Sequence, residues 1–189
     1  MHNIVLASLS PRRKELLSQL KLDFIVDSLN IEEVLNDKLP LEERLMDLAY
    51  QKASVMLHKY PNEIIIGADT IVVHNNQILG KPKDYNDAYR MLKSYSKQAQ
   101  IVYSAVCVLN KDKVIKFICQ SKVYFKELTD EIIYDYLSCD EYKDKAGSYA
   151  IQGKGRQLID HYEGDFNTIV GLPIDDLKEV LINDFNIQC

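Results

Sequence analysis

The sequence predicts an α/β protein in which a mixed β-sheet is flanked by helices. In the first half of the 189-residue chain, apolar runs of strand length alternate with segments of helical spacing. In the middle, two long strand-like runs follow each other directly. Alternating elements favour parallel pairing and consecutive strands favour antiparallel pairing, so that a single sheet would contain both. We expect this sheet to be bent around a central cleft.

The individual elements follow from local signals. In chain order, the predicted strands lie at residues 4–8, 24–26, 64–73, 78–79, 101–109 and 114–125. The predicted helices begin near Ser10, Pro40, Asp84, Thr129 and Pro173. Ser10 is typical of a helix N-cap and Pro11 of the first helical position. Residues 110–112 are expected to join the last two strands as a hairpin, and the Gly-punctuated region 146–171 to hold short strands.

The length predicts a single domain over residues 1–189, with two lobes around the cleft. Apolar residues make up 47% of the chain and charged residues 27%, which is typical of a globular protein. The net charge of −5 and the absence of a basic stripe argue against nucleic-acid binding.

The sequence also predicts where the protein works. No secretory signal and no apolar run of membrane-spanning length are found, so we expect no membrane partner. The four cysteines have no metal-site spacing and are interpreted as reduced thiols in the cytoplasm. A C2 homodimer is the default expectation for the assembly.

The first candidate site is the sequence SLSPRRK at residues 8–14. Ser8 and Ser10 supply hydroxyls, and Arg12 and Arg13 place cations in the first turn of a helix, where they oppose the helix dipole. A bound anion would reverse that cost, because free N–H groups, hydroxyls and guanidinium groups all donate to phosphate oxygens. A solvated basic helix start is the alternative.

Two charged residues lie in apolar surroundings. Lys52 falls near the middle of the apolar face of the helix that follows Pro40, and a buried ammonium needs an anion. Asp69 interrupts an apolar run that is typical of a strand covered on both faces, with Gly67 leaving space on the same face. We favour a general base or metal ligand for Asp69. A snorkelling Lys52 and a structural ion pair for Asp69 are the alternatives.

Other signals are weak when taken alone. They are Glu32-Glu33 after a strand, Gly80-Lys81-Pro82 after a turn, and the sequence QGKGR at residues 152–156, whose glycines could approach a phosphate.

Together, these segments resemble the Maf family of nucleotide pyrophosphatases. The matching motifs run in family order from residue 4 to 174. They are SLSPRR at 8–13, Glu32-Glu33, the helix with Lys52, GADT at 67–70, GKP at 80–82, DKAG at 144–147, IQG at 151–153 and VGLP at 170–173. The resemblance also implies the cleft-containing fold of the inosine triphosphate pyrophosphatases.

The resemblance implies hydrolysis of a nucleoside triphosphate to the monophosphate and pyrophosphate, with Mg²⁺ or Mn²⁺ as cofactor. Asp69 matches the proton-accepting residue, and Asp69 and Glu33 are the expected metal ligands. Arg12, Thr70 and Gln152 match positions tied to substrate choice. Arg13, Glu33, Lys52 and Lys81 match polar residues that line the cleft.

Gln152 indicates the branch of the family. The sequence IQG is similar to the branch that acts on dTTP and UTP, whereas the 7-methyl-GTP branch has an acidic residue there. An amide offers a donor and an acceptor to a pyrimidine edge. Three alternatives stay open: a house-cleaning enzyme with broad tolerance for modified nucleotides, a pyrophosphatase for 7-methyl-GTP or inosine-type nucleotides, and a regulatory nucleotide-binding protein acting in septum formation.

Overall fold

The computed structural model of the protein describes residues 3–34, 36, 38–143 and 145–188. The strands are β1 (Ile4–Ala7), β2 (Phe24–Asp27), β3 (Ile64–His74), β4 (Gln77–Leu79), β5 (Ala99–Leu109), β6 (Val114–Phe125) and β7 (Ile159–Glu163). The α-helices are α1 (Pro11–Ser18), α2 (Leu41–Ser54), α3 (Tyr85–Ser94), α4 (Asp130–Leu137), α5 (Phe166–Val170) and α6 (Ile174–Phe185). Short 3₁₀ turns lie at Val55–His58, Ala146–Ser148 and Gly153–Leu158.

The strands form one mixed sheet, as predicted. Its order is β2-β1-β3-β5-β6-β7, and β4 pairs with β3 beside this path. Strand β1 runs parallel to both β2 and β3, whereas β4 is antiparallel to β3 and β7 is antiparallel to β6. Both of these parallel pairs lie in the region where a helix separates consecutive strands, because such a crossover returns the chain in the same direction.

The chain divides into two compact units. Unit 1 comprises Met1–Thr70, Ser104–Cys119 and Gly171–Cys189, and unit 2 comprises Ile71–Tyr103 and Gln120–Val170. The chain passes from one unit to the other within β3, β5 and β6 and again after α5. The predicted bend of the sheet and the predicted cleft stay predictions, as does the single domain with two lobes.

The helix starts are confirmed. The Ser10 hydroxyl accepts a hydrogen bond from the Arg13 amide at 3.4 Å, so that Ser10 caps α1 with Pro11 at its first position. Asp84 caps α3 and Thr129 caps α4 in the same way. Pro40 and Pro173 directly precede α2 and α6.

The predicted hairpin is also confirmed. Neighbouring strands β5 and β6 are joined by a tight turn in which the Asn110 amide donates to the Lys113 carbonyl at 3.0 Å. The Asn110 side-chain oxygen accepts from the amides of Asp112 and Lys113 at 2.9 and 2.8 Å, which is the local bonding that makes Asn a turn residue.

The prediction of short strands over residues 146–171 is largely wrong. That region holds two 3₁₀ turns, the strand β7 and the helix α5. Gly164 ends β7 with a φ of 96°, and Asp165 then caps α5 by accepting from the amides of Asn167 and Thr168 at 3.0 and 2.7 Å. Capping by a short acidic side chain starts a helix where the local pattern indicated a strand.

Helix α2 packs directly on β3 at Gly67. A Cβ atom on Gly67 would lie 2.4 Å from the Ala49 carbonyl oxygen and 2.9 Å from the Ala53 Cβ. Both alanines are fully buried. The sequence predicts open space above the strand at Gly67. The prediction is wrong because α2 fills that space with its backbone and with Ala53.

Two further predictions concern the whole chain. Among the described residues, no helix has the length and apolar character needed to cross a membrane. Cys107 and Cys139 carry free thiols, whereas Cys189 lies outside the described residues. The cytoplasmic location and the homodimer stay predictions.

Candidate active site

The segment between β1 and α1 is held by its own hydroxyl groups. Ser8 is buried, and its hydroxyl oxygen accepts from the Ser10 amide and from Nη1 of Arg13, both at 3.3 Å. Ser10 in turn caps the helix. Both serines therefore shape the helix start.

The Arg13 guanidinium group forms its hydrogen bonds with residues of unit 1. Besides the bond to Ser8, its Nε donates to the Gly171 carbonyl at 2.9 Å and its Nη2 donates to the Thr70 hydroxyl at 3.0 Å. Each guanidinium nitrogen thus has an internal acceptor. Burial lowers the pKa of Arg13, and the nearby Asp69 carboxylate partly offsets this effect. Arg13 links the start of α1, strand β3 and the segment before α6.

Arg12 differs from its neighbour. Its side chain is half-buried and has no hydrogen bond or ion pair with any other residue in the described part of the chain. Burial lowers the pKa of its guanidinium. Its donors therefore remain available to an anion at the helix start, where α1 has no acidic residue in its first turn.

Lys52, Asp69 and Glu33 come together. The Lys52 ammonium contacts the Asp69 carboxylate and lies 3.0 Å from Oε1 of Glu33. The side chains are 22%, 15% and 46% exposed respectively, so the pair of Lys52 and Asp69 is largely withdrawn from water. Asp69 thus forms an ion pair with Lys52, whose ammonium meets a carboxylate rather than snorkelling to the surface. The role of Asp69 as a general base or metal ligand stays a prediction.

The Thr70 hydroxyl is surrounded by polar groups of unit 1. It accepts from Arg13, lies 2.8 Å from the Ser104 hydroxyl and lies 3.4 Å from the Gly171 carbonyl, to which it donates. A hydroxyl has a single donor and a pair of acceptor sites, so these contacts use its bonding capacity. Ser104 is fully buried in β5, and it is not among the site residues predicted from the sequence. The pattern that could have indicated it is a small polar residue within an apolar strand.

Several of these site residues line a cavity of about 400 Å³. Its lining includes Ser8, Leu9, Arg13, Leu29, Glu33 and Lys52. The size lies within the range of about 300–1,000 Å³ that is usual for small-molecule sites. It combines cations with exposed apolar side chains, since Leu9 and Leu29 are 72% and 45% exposed.

The carboxylates of unit 1 can be compared with the needs of a divalent cation. Within the described ranges, no cluster of three or more His, Cys, Asp or Glu side chains is placed to hold a metal. Asp69 and Glu33 nevertheless converge on one ammonium. Mg²⁺ is commonly held by one or two carboxylates together with substrate phosphates and water, so this donor set fits it.

Two predicted site residues belong to unit 2. Lys81 is exposed and follows Gly80, whose carbonyl accepts from the Gly147 amide at 3.0 Å. Gln152 is half-buried and precedes the 3₁₀ turn at Gly153–Leu158, and its side chain does not cap that turn.

The suggestion that residues 152–156 approach a phosphate is contradicted. The amides of Lys154 and Gly155 donate to the carboxylate of Glu141 at 3.1 and 3.3 Å. An internal carboxylate therefore occupies the place where an anion was expected. Asp144, which belongs to one of the matching motifs, lies outside the described residues.

A family model described as Maf-like protein matches residues 3–183 of the chain. The chain belongs to this family, and the resemblance noted in the sequence is confirmed.

Curated relatives match over nearly the full length. A protein of Thermoanaerobacter sp. (strain X514) is 44% identical over 189 residues, covering 98% of each chain. A protein of Pyrococcus furiosus is 45% identical over 175 residues, covering 92% of this chain and 91% of its own. A protein of Bacillus cereus (strain AH187) is 42% identical over 188 residues, covering 100% of this chain and 98% of its own. All three are named dTTP/UTP pyrophosphatase.

Proposed function

We propose that the protein is a nucleoside triphosphate pyrophosphatase that hydrolyses dTTP and UTP to the monophosphate and pyrophosphate. The names of its relatives support this proposal. The observation that carries it is the contact of one ammonium, Lys52, with two carboxylates, Asp69 and Glu33, in the unit that also holds the cation-bearing start of α1. Removal of dTTP, UTP or modified pyrimidine nucleotides from the pool would be the cellular task.

Asp69 is the proposed general base. It accepts a proton from a water molecule whose oxygen attacks the α-phosphorus. The bond between the α-phosphorus and the oxygen that bridges to the β-phosphate then breaks, and pyrophosphate leaves with that oxygen. Asp69 is the less exposed of the two carboxylates, which suits a group that must hold one water in place.

The start of α1 is the proposed binding site for the triphosphate. Among the described residues, the guanidinium N–H groups of Arg12 have no hydrogen-bond acceptor, and the helix N-terminus favours negative charge. Arg13 positions the segment through its bonds to Ser8, Thr70 and Gly171. A bound triphosphate would compete with Asp69 and Glu33 for the ammonium of Lys52, and this competition would release Asp69 to act as a base.

The cofactor of the proposed reaction is Mg²⁺ or Mn²⁺. Asp69 and Glu33 would hold it together with the substrate phosphates. Such a cation would neutralise charge on the phosphates and polarise the phosphorus.

Gln152 and Lys81 of unit 2 are the other residues that we propose to act on the substrate. Gln152 would read the base through its amide, and Lys81 would neutralise phosphate charge. Thr70, whose hydroxyl is bonded inside unit 1, would affect substrate choice through the position of its neighbours.

The proposal is tested by incubating the protein with dTTP, UTP, CTP, GTP, ITP and 7-methyl-GTP in the presence of Mg²⁺ or Mn²⁺. We expect pyrophosphate and the monophosphate from dTTP and UTP in preference to the purine nucleotides. Release of orthophosphate would contradict the proposed reaction. Tight nucleotide binding without any turnover would favour the regulatory alternative instead.

A further inference from the structure

The 3₁₀ turn at Gly153–Leu158 is capped from a distance in the sequence. The first N–H groups of a helical turn have no partner within it and need an outside acceptor. Gln152 stands at the N-cap position but supplies none. Glu141 does, because its Oε1 accepts from the Lys154 amide at 3.1 Å and its Oε2 accepts from the Gly155 amide at 3.3 Å.

The approach of Glu141 depends on the residue that follows Gln152. Gly153 has a φ of 66°, and a Cβ atom there would lie 2.8 Å from Oε1 and 3.0 Å from Oε2 of Glu141. The carboxylate therefore reaches the turn because position 153 carries no side chain. The contact holds the backbone on the C-terminal side of Gln152.

The capping by Glu141 leaves the Gln152 amide available. Across the residues that the structure describes, the Gln152 side chain has no hydrogen-bond partner. On its N-terminal side, Ile151 is buried at 4% exposure. The neighbours on both sides thus hold the backbone at Gln152, while its side-chain donor and acceptor have no partner within the described part of the chain.

We infer that Glu141 is a positioning residue for base selection, which acts by holding the turn that presents Gln152. This inference rests on the proposed function, in which Gln152 reads a pyrimidine base. A site that recognises one base by hydrogen bonds loses selectivity when the reading group is displaced, because the bonds to the correct base are weakened first.

The experiment is a double-mutant cycle with Glu141→Ala, Gln152→Ala and the combined variant. The measured quantity is the ratio of kcat/KM for dTTP to kcat/KM for GTP, with kcat and KM reported separately. We expect Glu141→Ala to lower this ratio about 10- to 100-fold, mainly by raising KM for dTTP. In the Gln152→Ala background, the same substitution should have no further effect on the ratio.

A matched control is Glu127→Ala, which removes another glutamate of unit 2. Glu127 pairs with Lys97 at 2.7 Å and is 66% exposed, and among the described residues its side chain forms no hydrogen bond with the turn. The ratio of kcat/KM for dTTP to kcat/KM for GTP in Glu127→Ala should equal that of the wild type. Glu141→Gln provides the same test should the alanine variant unfold, because it keeps the volume and one acceptor oxygen but places amide donors against backbone donors.

The outcomes separate the two claims. An active Glu141 variant with unchanged selectivity would overturn the inference alone. An equal loss of selectivity with and without Gln152 would also overturn it, since Glu141 would then act independently. Absence of pyrophosphate release from dTTP by the wild-type protein would overturn the proposed function and this inference with it.

Discussion

The Lys52 ammonium contacts the Asp69 carboxylate because helix α2 approaches β3 at a position without a side chain. Gly67 and Asp69 lie on the same face of β3, two residues apart. Ala49 and Ala53 of α2 sit on Gly67, and Lys52 directly precedes Ala53. The closeness of the two backbones places Lys52 within reach of Asp69.

Gly67→Ala should therefore disturb both packing and the ion pair. Its new Cβ would meet the Ala49 carbonyl oxygen at 2.4 Å, which the backbone of α2 can relieve only by moving away. We expect a loss of about 1–3 kcal/mol in the free energy of unfolding, measured by denaturant titration. A control is Gly80→Ala, where a Cβ would meet nothing within 4 Å. Equal stability of the two variants would contradict the packing argument.

Asp69→Asn should reduce turnover of dTTP by about 10²- to 10⁴-fold, because the amide cannot accept the proton of the attacking water. Pyrophosphate release under saturating substrate measures this loss. Asp184→Asn is the matched control, since Asp184 also pairs with a lysine of unit 1, Lys113, at 2.8 Å. Near-full turnover of Asp69→Asn would refute the assignment of the base.

Arg12 and Arg13 should respond differently to replacement by lysine. Arg13→Lys loses the geometry that bonds Ser8, Thr70 and Gly171 together, and we expect a loss of about 2 kcal/mol in unfolding free energy. Arg12→Lys should change stability by no more than about 0.5 kcal/mol and should raise KM for dTTP. Thermal unfolding and steady-state kinetics on both variants provide the comparison. Identical stability losses would show that Arg12 is also a structural residue.

Gln152→Glu should weaken the preference for dTTP and UTP. The substitution removes the amide donor and adds a negative charge, so that a pyrimidine acceptor would face a carboxylate. A substrate panel with product analysis measures the preference. An unchanged ratio between pyrimidine and purine nucleotides would remove Gln152 from the specificity argument.

Local signals in the sequence were enough for most of the fold. The caps at Ser10, Asp84 and Thr129, and the hairpin at Asn110, use bonds between residues that are near neighbours in the chain. Such bonds depend on the identity of the residue at one position, so the pattern predicts them. The region 146–171 departs from the prediction because Asp165 starts a helix within a segment of strand-like composition.

The candidate site was predictable in part. An ammonium in an apolar helix face and a carboxylate in an apolar strand each required a charged partner, which identified Lys52 and Asp69 separately. Glu33 had no such signal, because an exposed acidic pair is ordinary, and only the family resemblance selected it. The roles of Arg13, Ser104 and Glu141 could not be predicted, since their partners are remote in sequence.

The sequence by itself thus determined which elements form, where they begin, which charges cannot stand alone, and the family to which the chain belongs. The tertiary structure decided which charged side chains meet and which hydrogen-bonding groups already have a partner within the protein. Arg13 bonds to Gly171, 158 positions away, and Glu141 bonds to backbone amides 13 and 14 positions away. Periodicity and capping report on neighbours within a few residues, whereas these contacts arise only when the folded chain brings distant segments together.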